Sequence, residues 1–437
     1  MIWEELFNLT NSKEQQTSRS TFDRDFDRII FSHPFRKLQD KTQVHPLPEH
    51  DFVHNRLTHS LEVSSVGRSL GRQAGDLIIK RNPNLGSQIS VSEIGVIVAS
   101  ASLAHDIGNP AFGHSGEEAI SEYFNRNNDL LENQFSEQEW SDLINFEGNA
   151  QGFRLLNKSG YQGLKLSYPT LAAFTKYPRP SKVVDKFKPR RSQKKYGFYS
   201  SEQPSFNTMV QELKLMSLSE NQWVRHPLAF LVEAADDICY HIIDLEDGCN
   251  LGLVSHEDTV ELYAQILGEQ FDPGKLKNIK SKREQISTLR ALTIGKLIHQ
   301  CIELFGDVES EMLSGKFDHS LADVIPLKDG LEDIKMVSIE KIYRSRTVLE
   351  IEAAGYHVIN GLLDSFVPAA INKREGSLSK KDQVNYRLLP EDVQYELEHS
   401  DTLYIGIRSL LDYISGLTDT NAMNLYRKIR GISLPGR

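Results

Sequence analysis

Residues 90–118 read SVSEIGVIVASASLAHDIGNPAFGHSGEE, and this stretch decides how the rest of the chain folds. Ser90 and Glu93 have the spacing of a capping box, and the residues that follow them are apolar on nearly every side. That pattern predicts a helix buried in the middle of a domain. The helix ends at a His-Asp pair, after which glycine and proline residues predict a loop. Ser115 and Glu118 then have the spacing to cap the next helix.

Helical spacing continues on both sides of this stretch. Further helices are predicted at residues 19–41, as two short helices separated at Pro34, and at residues 57–80, 227–248 and 341–366. In the helix over residues 57–80, Gly67 and Gly71 allow close packing against a neighbour. No convincing run of alternating apolar and polar residues predicts a strand. The predicted fold class is therefore all-α.

Composition limits the class of protein. The chain has 437 residues, a formal net charge of −10 and three cysteines. An acidic chain is not expected to depend on a nucleic acid, and three scattered cysteines fit a reducing cytoplasm. The start, MIWEELFNLTNSKEQQ, lacks the pattern of a signal peptide, and no run of about 18 apolar residues predicts a membrane span. We therefore expect a cytoplasmic protein without a membrane or an obligatory nucleic-acid partner.

The pair His105 and Asp106, at the end of the buried helix, is the first candidate for chemistry. Both side chains would lose hydration there, and a divalent cation would compensate for that loss. His59, near the start of its own helix, offers a second imidazole, and either Asp236 or Asp237 offers a second carboxylate. Mixed imidazole and carboxylate ligands suit manganese, iron, zinc or magnesium. Without such partners, a His-Asp pair would be a hydrogen-bonded structural element.

A second candidate pair follows the glycine- and proline-containing loop. His114 and Glu117 are three residues apart, so the carboxylate can orient the imidazole for general acid-base chemistry. Their position shortly after the His-Asp pair favours catalysis over an ordinary surface pair. In the later helix, Asp236, Tyr240 and Asp244 recur every four residues and share one face. That face is either a solvated polar stripe or the wall of a pocket.

Cations for a phosphorylated substrate are also present. Arg56, three residues before His59, would bring a guanidinium that binds a phosphate with two hydrogen bonds. Lys176 and Tyr177 begin a basic stretch and are candidates for triphosphate contacts, whereas residues 182–195 are expected to form a solvated or mobile loop. The chain has no Walker A sequence, no G-x-G-x-x-G after a strand and no G-x-S-x-G elbow. Metal-dependent hydrolysis of a phosphorylated substrate is the reaction class that remains.

Seven motifs occur in a fixed order along the chain. They are RSTFDRDFDRIIFSHPFRKLQDKTQV, NRLTHSLEV, LAHDIGNPAFGHSGEEAI, NFEGNAQGFR, FTKYP, KKYGFYSSE and EAADDICYHIIDLEDG. This series resembles the HD-domain deoxynucleoside triphosphate triphosphohydrolases, in particular their bacterial deoxyguanosine triphosphate branch. A weaker match follows in IYRSRTVLEIEAAGYHVINGLL. The resemblance implies one large helical unit, 1–437, with an HD catalytic core over residues 17–250 that includes a basic segment, 176–199. A C-terminal helical region, 251–437, would pack on that core.

The resemblance also implies roles for individual residues. The metal ligands correspond to His59, His105, Asp106 and Asp236, the catalytic pair to His114 and Glu117, and the substrate contacts to Gln43, Arg56, Lys176, Tyr177, Tyr240 and Asp244. Asp236 is preferred to Asp237 because Tyr240 and Asp244 then fall on the substrate-contacting tyrosine and aspartate of the family. Gln43 corresponds to the glutamine that checks the sugar 3′-hydroxyl.

The reaction implied is attack on the α-phosphorus of a dNTP, with dGTP favoured, which releases the deoxynucleoside and inorganic triphosphate. The implied cofactor is a divalent metal ion, Mg or Mn first, with Fe, Ni, Co or Zn as alternatives. A homo-oligomer, hexameric or tetrameric, and activation by a second dNTP are implied as well. Neither follows from the residues themselves.

Two other functions stay open at this point. Other HD-domain enzymes hydrolyse nucleoside monophosphates, cyclic nucleotides or alarmones, but those relatives lack the KTQV and HSGE contexts found here. A nucleotide sensor that has lost turnover would not need a complete ligand set together with a His-Glu pair. We therefore predict a metal-dependent dNTP triphosphohydrolase.

Overall fold

The computed structural model describes residues 1–9, 19–44, 53–158, 163–183 and 190–433. Helices make up 72 % of these described residues. The only sheet in the described ranges is a short antiparallel hairpin of β1, Ser217–Ser219, and β2, Gln222–Trp223. The all-α fold class is therefore confirmed. Among the same residues, no helix combines the length and the apolar character needed to cross a membrane.

The first half of the described chain carries twelve α-helices. They are α1 (Trp3–Leu6), α2 (Thr21–Phe31), α3 (His33–Lys37), α4 (Arg56–Arg81), α5 (Val91–Ala104), α6 (His114–Arg126), α7 (Asn128–Leu131), α8 (Glu137–Ile144), α9 (Gly148–Asn157), α10 (Tyr168–Phe174), α11 (Gln203–Glu212) and α12 (Pro227–Asn250). The break between α2 and α3 falls at Ser32, which caps α3, and Pro34 lies in the first turn of α3.

The second half carries nine more α-helices within its described residues. They are α13 (His256–Leu267), α14 (Pro273–Lys277), α15 (Lys282–Leu313), α16 (Lys328–Val337), α17 (Arg346–Glu375), α18 (Lys380–Arg387), α19 (Glu391–His399), α20 (Leu403–Ser415) and α21 (Asp419–Ile429). A π-helical turn, Ser338–Tyr343, follows α16.

The helix α5 is buried on nearly all sides, as predicted. Its capping box is formed, since Ser90 Oγ accepts from the backbone N–H of Glu93 and the Glu93 carboxylate accepts from the backbone N–H of Ser90. The neighbouring α4 approaches α5 closely at its glycines. A Cβ atom added at Gly71 would lie 2.9 Å from Val98, and one added at Gly67 would lie 2.4 Å from a serine hydroxyl of α5. The prediction that these glycines allow close packing is confirmed.

Two hydrophobic clusters hold the helices together. The larger cluster includes buried residues of α4, α5, α10, α12, α13, α15 and α16. The smaller cluster joins α6 and α8 to the C-terminal helices α17 to α21. The helices after residue 250 thus contribute to both clusters. The division into a core over 17–250 and a C-terminal region over 251–437 stays a prediction.

The helix predicted over residues 341–366 is interrupted, and that prediction is wrong at its start. The π-helical turn ends at Tyr343, and α17 begins only at Arg346 and continues to Glu375. The physical reason is the extended backbone of Ser345, with φ −64° and ψ 148°, which separates the two segments.

The start of α6 also differs from its prediction. The helix begins at His114, and its N-cap is Gly113, with no capping side chain. Ser115 and Glu118 do not form the predicted capping box, since the Glu118 carboxylate accepts a hydrogen bond from Tyr356 instead. Gly113 has φ +58°, a conformation that glycine adopts readily. The N-cap therefore lies two residues earlier than predicted, and His114 lies in the first turn of the helix.

Candidate active site

The four predicted metal ligands come together between three core helices. His59 lies near the start of α4, and His105 and Asp106 directly follow α5. The ligand atoms of these three residues all lie within 4.8 Å of one another. From the middle of α12, Asp236 brings its Oδ1 to 3.3 Å from His59 Nε2 and 3.4 Å from His105 Nε2. Of the two adjacent aspartates considered, Asp236 is the one that contacts both imidazoles.

The donor set fits a divalent cation. His105 donates from Nδ1 to the Ser102 carbonyl oxygen at 2.7 Å, which leaves its Nε2 to face the other ligands. Asp106 is buried, and its Oδ1 accepts hydrogen bonds from Arg56 at 2.8 Å and Asn109 at 2.6 Å. Its Oδ2 has no hydrogen-bond partner within the described part of the chain. A buried carboxylate oxygen without a donor is costly unless a cation satisfies it.

Neighbouring side chains keep the carboxylates of this centre ionised. Burial would raise the pKa of Asp236, but His105 and His59 outweigh burial and hold that pKa well below its usual range. Burial also opposes ionisation of Asp106, and Arg56 with the same imidazoles keeps the pKa of Asp106 below its usual range. The ionised carboxylate is the form that coordinates a metal.

His114 and Glu117 form a hydrogen-bonded pair at the first turn of α6. The side chain of His114 is 83 % exposed, and its Nδ1 donates to Glu117 Oε2 at 2.9 Å. Glu117 is buried and also accepts from the backbone N–H of Gly148 at 2.7 Å. Burial would raise the pKa of Glu117, but the hydrogen bond from His114 and the charge of Lys195 lower it below its usual value. The carboxylate therefore fixes the ring while the other ring nitrogen, Nε2, stays available.

The predicted phosphate contacts are held by acidic partners. Arg56 is buried, and its guanidinium donates to the metal ligand Asp106. Lys176 brings its Nζ to 3.2 Å from Glu233 Oε1, and lies 5.9 Å from the ring centre of Tyr177. Because each cation is tied to a carboxylate, its position is set before any ligand binds.

The remaining predicted substrate contacts, Tyr240, Asp244 and Gln43, are connected by Tyr343 and by a small side pocket. Tyr240 stacks on Tyr343, with ring centres 5.5 Å apart, and the Tyr343 hydroxyl donates to Asp244 Oδ2 at 2.8 Å. Burial raises the pKa of Asp244 to about 8, so this carboxyl group is protonated near neutral pH. Gln43 has a buried side-chain oxygen without a hydrogen-bond partner among the described residues. Gln43 and Asp244 line the same small side pocket, which also contains Val44.

A cavity of about 560 Å³ opens beside the metal ligands, a size typical of small-molecule sites. Nine of the twelve predicted site residues line it: His105, Asp106, Asp236, His114, Gln43, Arg56, Lys176, Tyr177 and Tyr240. The other three, His59, Glu117 and Asp244, contact lining residues from outside the wall. A larger cavity of about 1370 Å³ shares Lys195 with this one but is lined by none of the twelve. The predicted site residues therefore gather at the smaller cavity.

Known proteins resemble this chain over nearly its whole length. A deoxyguanosinetriphosphate triphosphohydrolase-like protein of Synechocystis sp. is 40 % identical, with 97 % of this chain and 96 % of the relative covered. A protein of the same name from Pseudomonas aeruginosa is 37 % identical over 96 % and 95 %. The deoxyguanosinetriphosphate triphosphohydrolase of Salmonella paratyphi A is 30 % identical over 94 % of each chain.

The chain belongs to the deoxyguanosinetriphosphate triphosphohydrolase family. In addition, the family model of a phosphohydrolase-associated domain matches residues 326–428. That segment includes α17 to α20, which pack in the smaller hydrophobic cluster. The family predicted from the seven motifs is confirmed.

Sequence reasoning missed two residues of this family member's cavity. Lys195 lines the cavity, with Nζ 3.2 Å from Glu147 Oε1 and 3.9 Å from Glu117 Oε2. The prediction of a solvated or mobile loop over residues 182–195 is wrong for this lysine. The signal was available, because Lys195 belongs to the KKYGFYSSE motif. Glu233, which anchors Lys176, lies one turn before Asp236 on α12 and could have been found from that spacing.

Glu233 also binds Arg191, a second described residue of the basic stretch. Its Oε1 accepts a hydrogen bond from Arg191 at 2.8 Å, and its Oε2 accepts one from the fully buried Arg225 at 2.6 Å. Burial opposes ionisation of Glu233, but Lys176, Arg225 and Arg191 hold its pKa well below the usual range. The alternative ligand Asp237 lies 3.8 Å from Arg191, as part of this same charge network. One buried carboxylate therefore connects the basic stretch to α12.

Proposed function

We propose that the protein is a metal-dependent dNTP triphosphohydrolase that hydrolyses dGTP to deoxyguanosine and inorganic triphosphate. The observation that carries this proposal is the arrangement around one cavity of a mixed imidazole and carboxylate ligand set, a His-Glu pair and three anchored cations. The names of the relatives support dGTP as the substrate and triphosphate as the group released. The geometry and the family thus support the same reaction class.

The metal ion and three cationic side chains would together bind the triphosphate. When bound to the four ligands, a divalent cation supplies Lewis-acid chemistry, which lowers the pKa of water and offsets negative charge on the phosphates. Arg56, Lys176 and Lys195 point their charges at the same cavity and would hold the phosphate chain in line for attack on the α-phosphorus. Each of the three is anchored by a carboxylate, so little reorganisation accompanies binding.

His114 would donate a proton to the leaving 5′-oxygen. A water oxygen forms a bond to the α-phosphorus while this water gives up one proton to solvent, the bond from phosphorus to the 5′-oxygen breaks, and the released alkoxide needs a proton. His114 Nε2 is the available donor, because Nδ1 is bound to Glu117. The products are a deoxynucleoside with a free 5′-hydroxyl and intact triphosphate.

Other residues at the cavity would recognise the nucleoside. Asp244, protonated near neutral pH, and the side-chain oxygen of Gln43, which has no partner among the described residues, can both hydrogen-bond a sugar hydroxyl. The ring of Tyr240 closes the sugar end. From α17, the exposed carboxylate of Glu352 lines the same cavity and would accept hydrogen bonds from the N–H donors of guanine. These contacts support dGTP as a substrate.

Several finer expectations belong to the same proposal. We place Mg²⁺ or Mn²⁺ first as the metal, with Fe, Ni, Co or Zn as alternatives. We also propose a homo-oligomer, hexameric or tetrameric, that a second dNTP activates, and no membrane or obligatory nucleic-acid partner. The three cysteines are free, which supports a reducing cytoplasm as the location.

Product analysis tests the proposal. The protein is incubated with dGTP and either Mn²⁺ or Mg²⁺, and the products are separated by ion-exchange chromatography. Deoxyguanosine and triphosphate in equal amounts are expected. Orthophosphate, pyrophosphate or dGMP would contradict the reaction, and binding of dGTP without turnover under every divalent metal would identify a sensor.

A matched pair of variants tests the catalytic assignment. His114→Ala is expected to lower kcat by about 10²- to 10⁴-fold, the usual contribution of a general acid. His299→Ala is the control, because His299 also pairs with a glutamate one turn away, at 3.4 Å, but lies exposed on α15. Equal activity of the two variants would contradict the role of His114.

A further inference from the structure

Asp419, the first residue of α21, is a buried carboxylate outside the site described so far. Its side chain is directed at two backbone N–H groups of other segments. Oδ1 accepts a hydrogen bond from Phe112 at 2.9 Å, and Oδ2 accepts one from Thr42 at 2.9 Å. Hydrogen bonds to an ionised carboxylate are about twice as strong as neutral ones. One side chain therefore joins two segments that are far apart in the sequence.

Each of the two segments ends in a residue of the proposed active site. Thr42 directly precedes Gln43, and it pairs with Asn55, the N-cap of α4, in an isolated β-bridge. Phe112 is separated by one residue from His114. Both Thr42 and Phe112 line the 560 Å³ cavity. The segment of the sugar contact and the segment of the catalytic pair thus meet at one carboxylate.

The loop before His114 has a backbone conformation that needs support. Phe112 has φ +62°, which residues other than glycine rarely adopt, and Gly113 follows with φ +58°. Two C-terminal helices contact this point. The Phe112 side chain packs against Gly355 of α17, where an added Cβ would lie 2.7 Å away, and its N–H is held by Asp419 of α21. The C-terminal helices therefore support the turn that starts α6.

Lys41 makes a second link between the same parts. It is 4 % exposed, and its Nζ donates to the carbonyl oxygens of Asn109 at 2.5 Å and Ser415 at 2.9 Å. Asn109 in turn donates to the metal ligand Asp106. Ser415 ends α20, four residues before Asp419. Ser415 and Asp419 thus contact the segment of Gln43 twice and the segment of His114 once, and Lys41 joins the two segments directly.

We propose that Asp419 is a positioning residue, which holds the segment of Gln43 and the segment of His114 in a fixed position relative to each other. Its kinetic consequences rest on the proposed function, whereas the contacts themselves can be tested without it. The proposal assigns a direct role at the active site to the region that the phosphohydrolase-associated family model matches.

Hydrogen exchange and kinetics on Asp419→Ala test this inference. Mass spectrometry would follow amide exchange in peptides that contain Thr42 and Phe112, and we expect faster exchange in both. In the same variant, kcat for dGTP should fall by about 10- to 100-fold. Mn²⁺ affinity, measured by calorimetry, should stay within about threefold, because the ligands lie on α4, at the end of α5 and on α12. A purely structural role would change stability and metal affinity together.

Two further variants complete the design. Thr420→Val is the matched control, since this exposed neighbour donates to Asp40 and makes no hydrogen bond with Thr42 or Phe112. It should leave exchange and kcat unchanged. Asp419→Asn keeps one acceptor oxygen, should give intermediate values, and replaces the alanine variant if that variant fails to fold.

The outcomes separate this inference from the proposed function. Unchanged exchange at both amides in the Asp419 variants would overturn it, and so would faster exchange with kcat within twofold of wild type. If the wild-type protein releases no triphosphate, the proposed function fails, and the exchange data alone decide whether Asp419 couples the two segments.

Discussion

The pairing of His114 with Glu117 predicts the effect of removing one charge without changing the shape of the site. In Glu117→Gln, the side chain keeps its volume and an oxygen that can accept from Gly148. At an effective dielectric constant of 20, two charges about 4 Å apart interact with about 4 kcal/mol. Because His114 is 83 % exposed, solvent screening reduces this to about half. About 2 kcal/mol corresponds to about a 30-fold lower kcat.

Loss of orientation adds to this electrostatic loss, so the expected decrease in kcat is about 30- to 300-fold. KM for dGTP should change little, because Glu117 does not line the cavity. The assay is steady-state release of triphosphate from dGTP at saturating Mn²⁺. Glu118→Gln, an exposed neighbour on the same helix, is the control.

A kcat within threefold of wild type in Glu117→Gln would refute the reasoning. The double variant with His114→Ala gives a second check. If the two residues act as a unit, the double variant should be no slower than His114→Ala alone. Multiplicative effects would mean that Glu117 acts by some route other than His114.

Three further predictions concern stability and specificity. Gly108 has φ +112°, and an added Cβ would lie 2.2 Å from a backbone nitrogen of α9. Gly108→Ala should therefore lower the free energy of unfolding by at least about 3 kcal/mol in urea denaturation. A loss below about 1 kcal/mol would contradict this prediction. Burial opposes protonation of His54, but hydrogen bonds to Asp247 and Glu62 raise its pKa from 6.5 to about 10. The stabilisation of the folded state by protonated His54 is therefore complete below pH 6.5 and is lost as pH rises towards 10. The free energy of unfolding should change by at most about 1.4 kcal/mol per pH unit in this range. His54→Gln should flatten this pH dependence. An unchanged slope would exclude this cause. Glu352→Ala should raise KM for dGTP more than KM for dCTP or dTTP in the triphosphate assay, and an equal rise for all three would exclude base reading by this residue.

The helices that carry the metal ligands were predictable because local signals define them. The capping box at Ser90 and the apolar surface of α5 determine where His105 and Asp106 lie along the chain. The glycine spacing of α4 predicts close packing against a neighbour, and in the structure that neighbour is α5. Local periodicity thus suffices for residues that sit on long, regular helices.

Contacts between distant segments were not predictable in the same way. Lys195 lies in a stretch with no periodicity, and its position depends on buried carboxylates from other segments. Asp419 shows no local pattern that distinguishes it from an ordinary acidic residue in the first turn of a helix. The interruption before α17 escaped prediction because Ser345 is compatible with either helix or cap. In each case the tertiary structure, rather than the local sequence, selects the outcome.

The predicted metal ligands and the loop before His114 depend on different parts of the molecule, and this matters for how variants are screened. Three helices of the larger hydrophobic cluster carry or directly precede these ligands, whereas the segment before His114 packs against helices of the smaller cluster. A melting-temperature increase on adding Mn²⁺ would therefore report only on the first group. A variant that keeps a full metal response in such a screen can still have lost turnover, so only product formation identifies a working site.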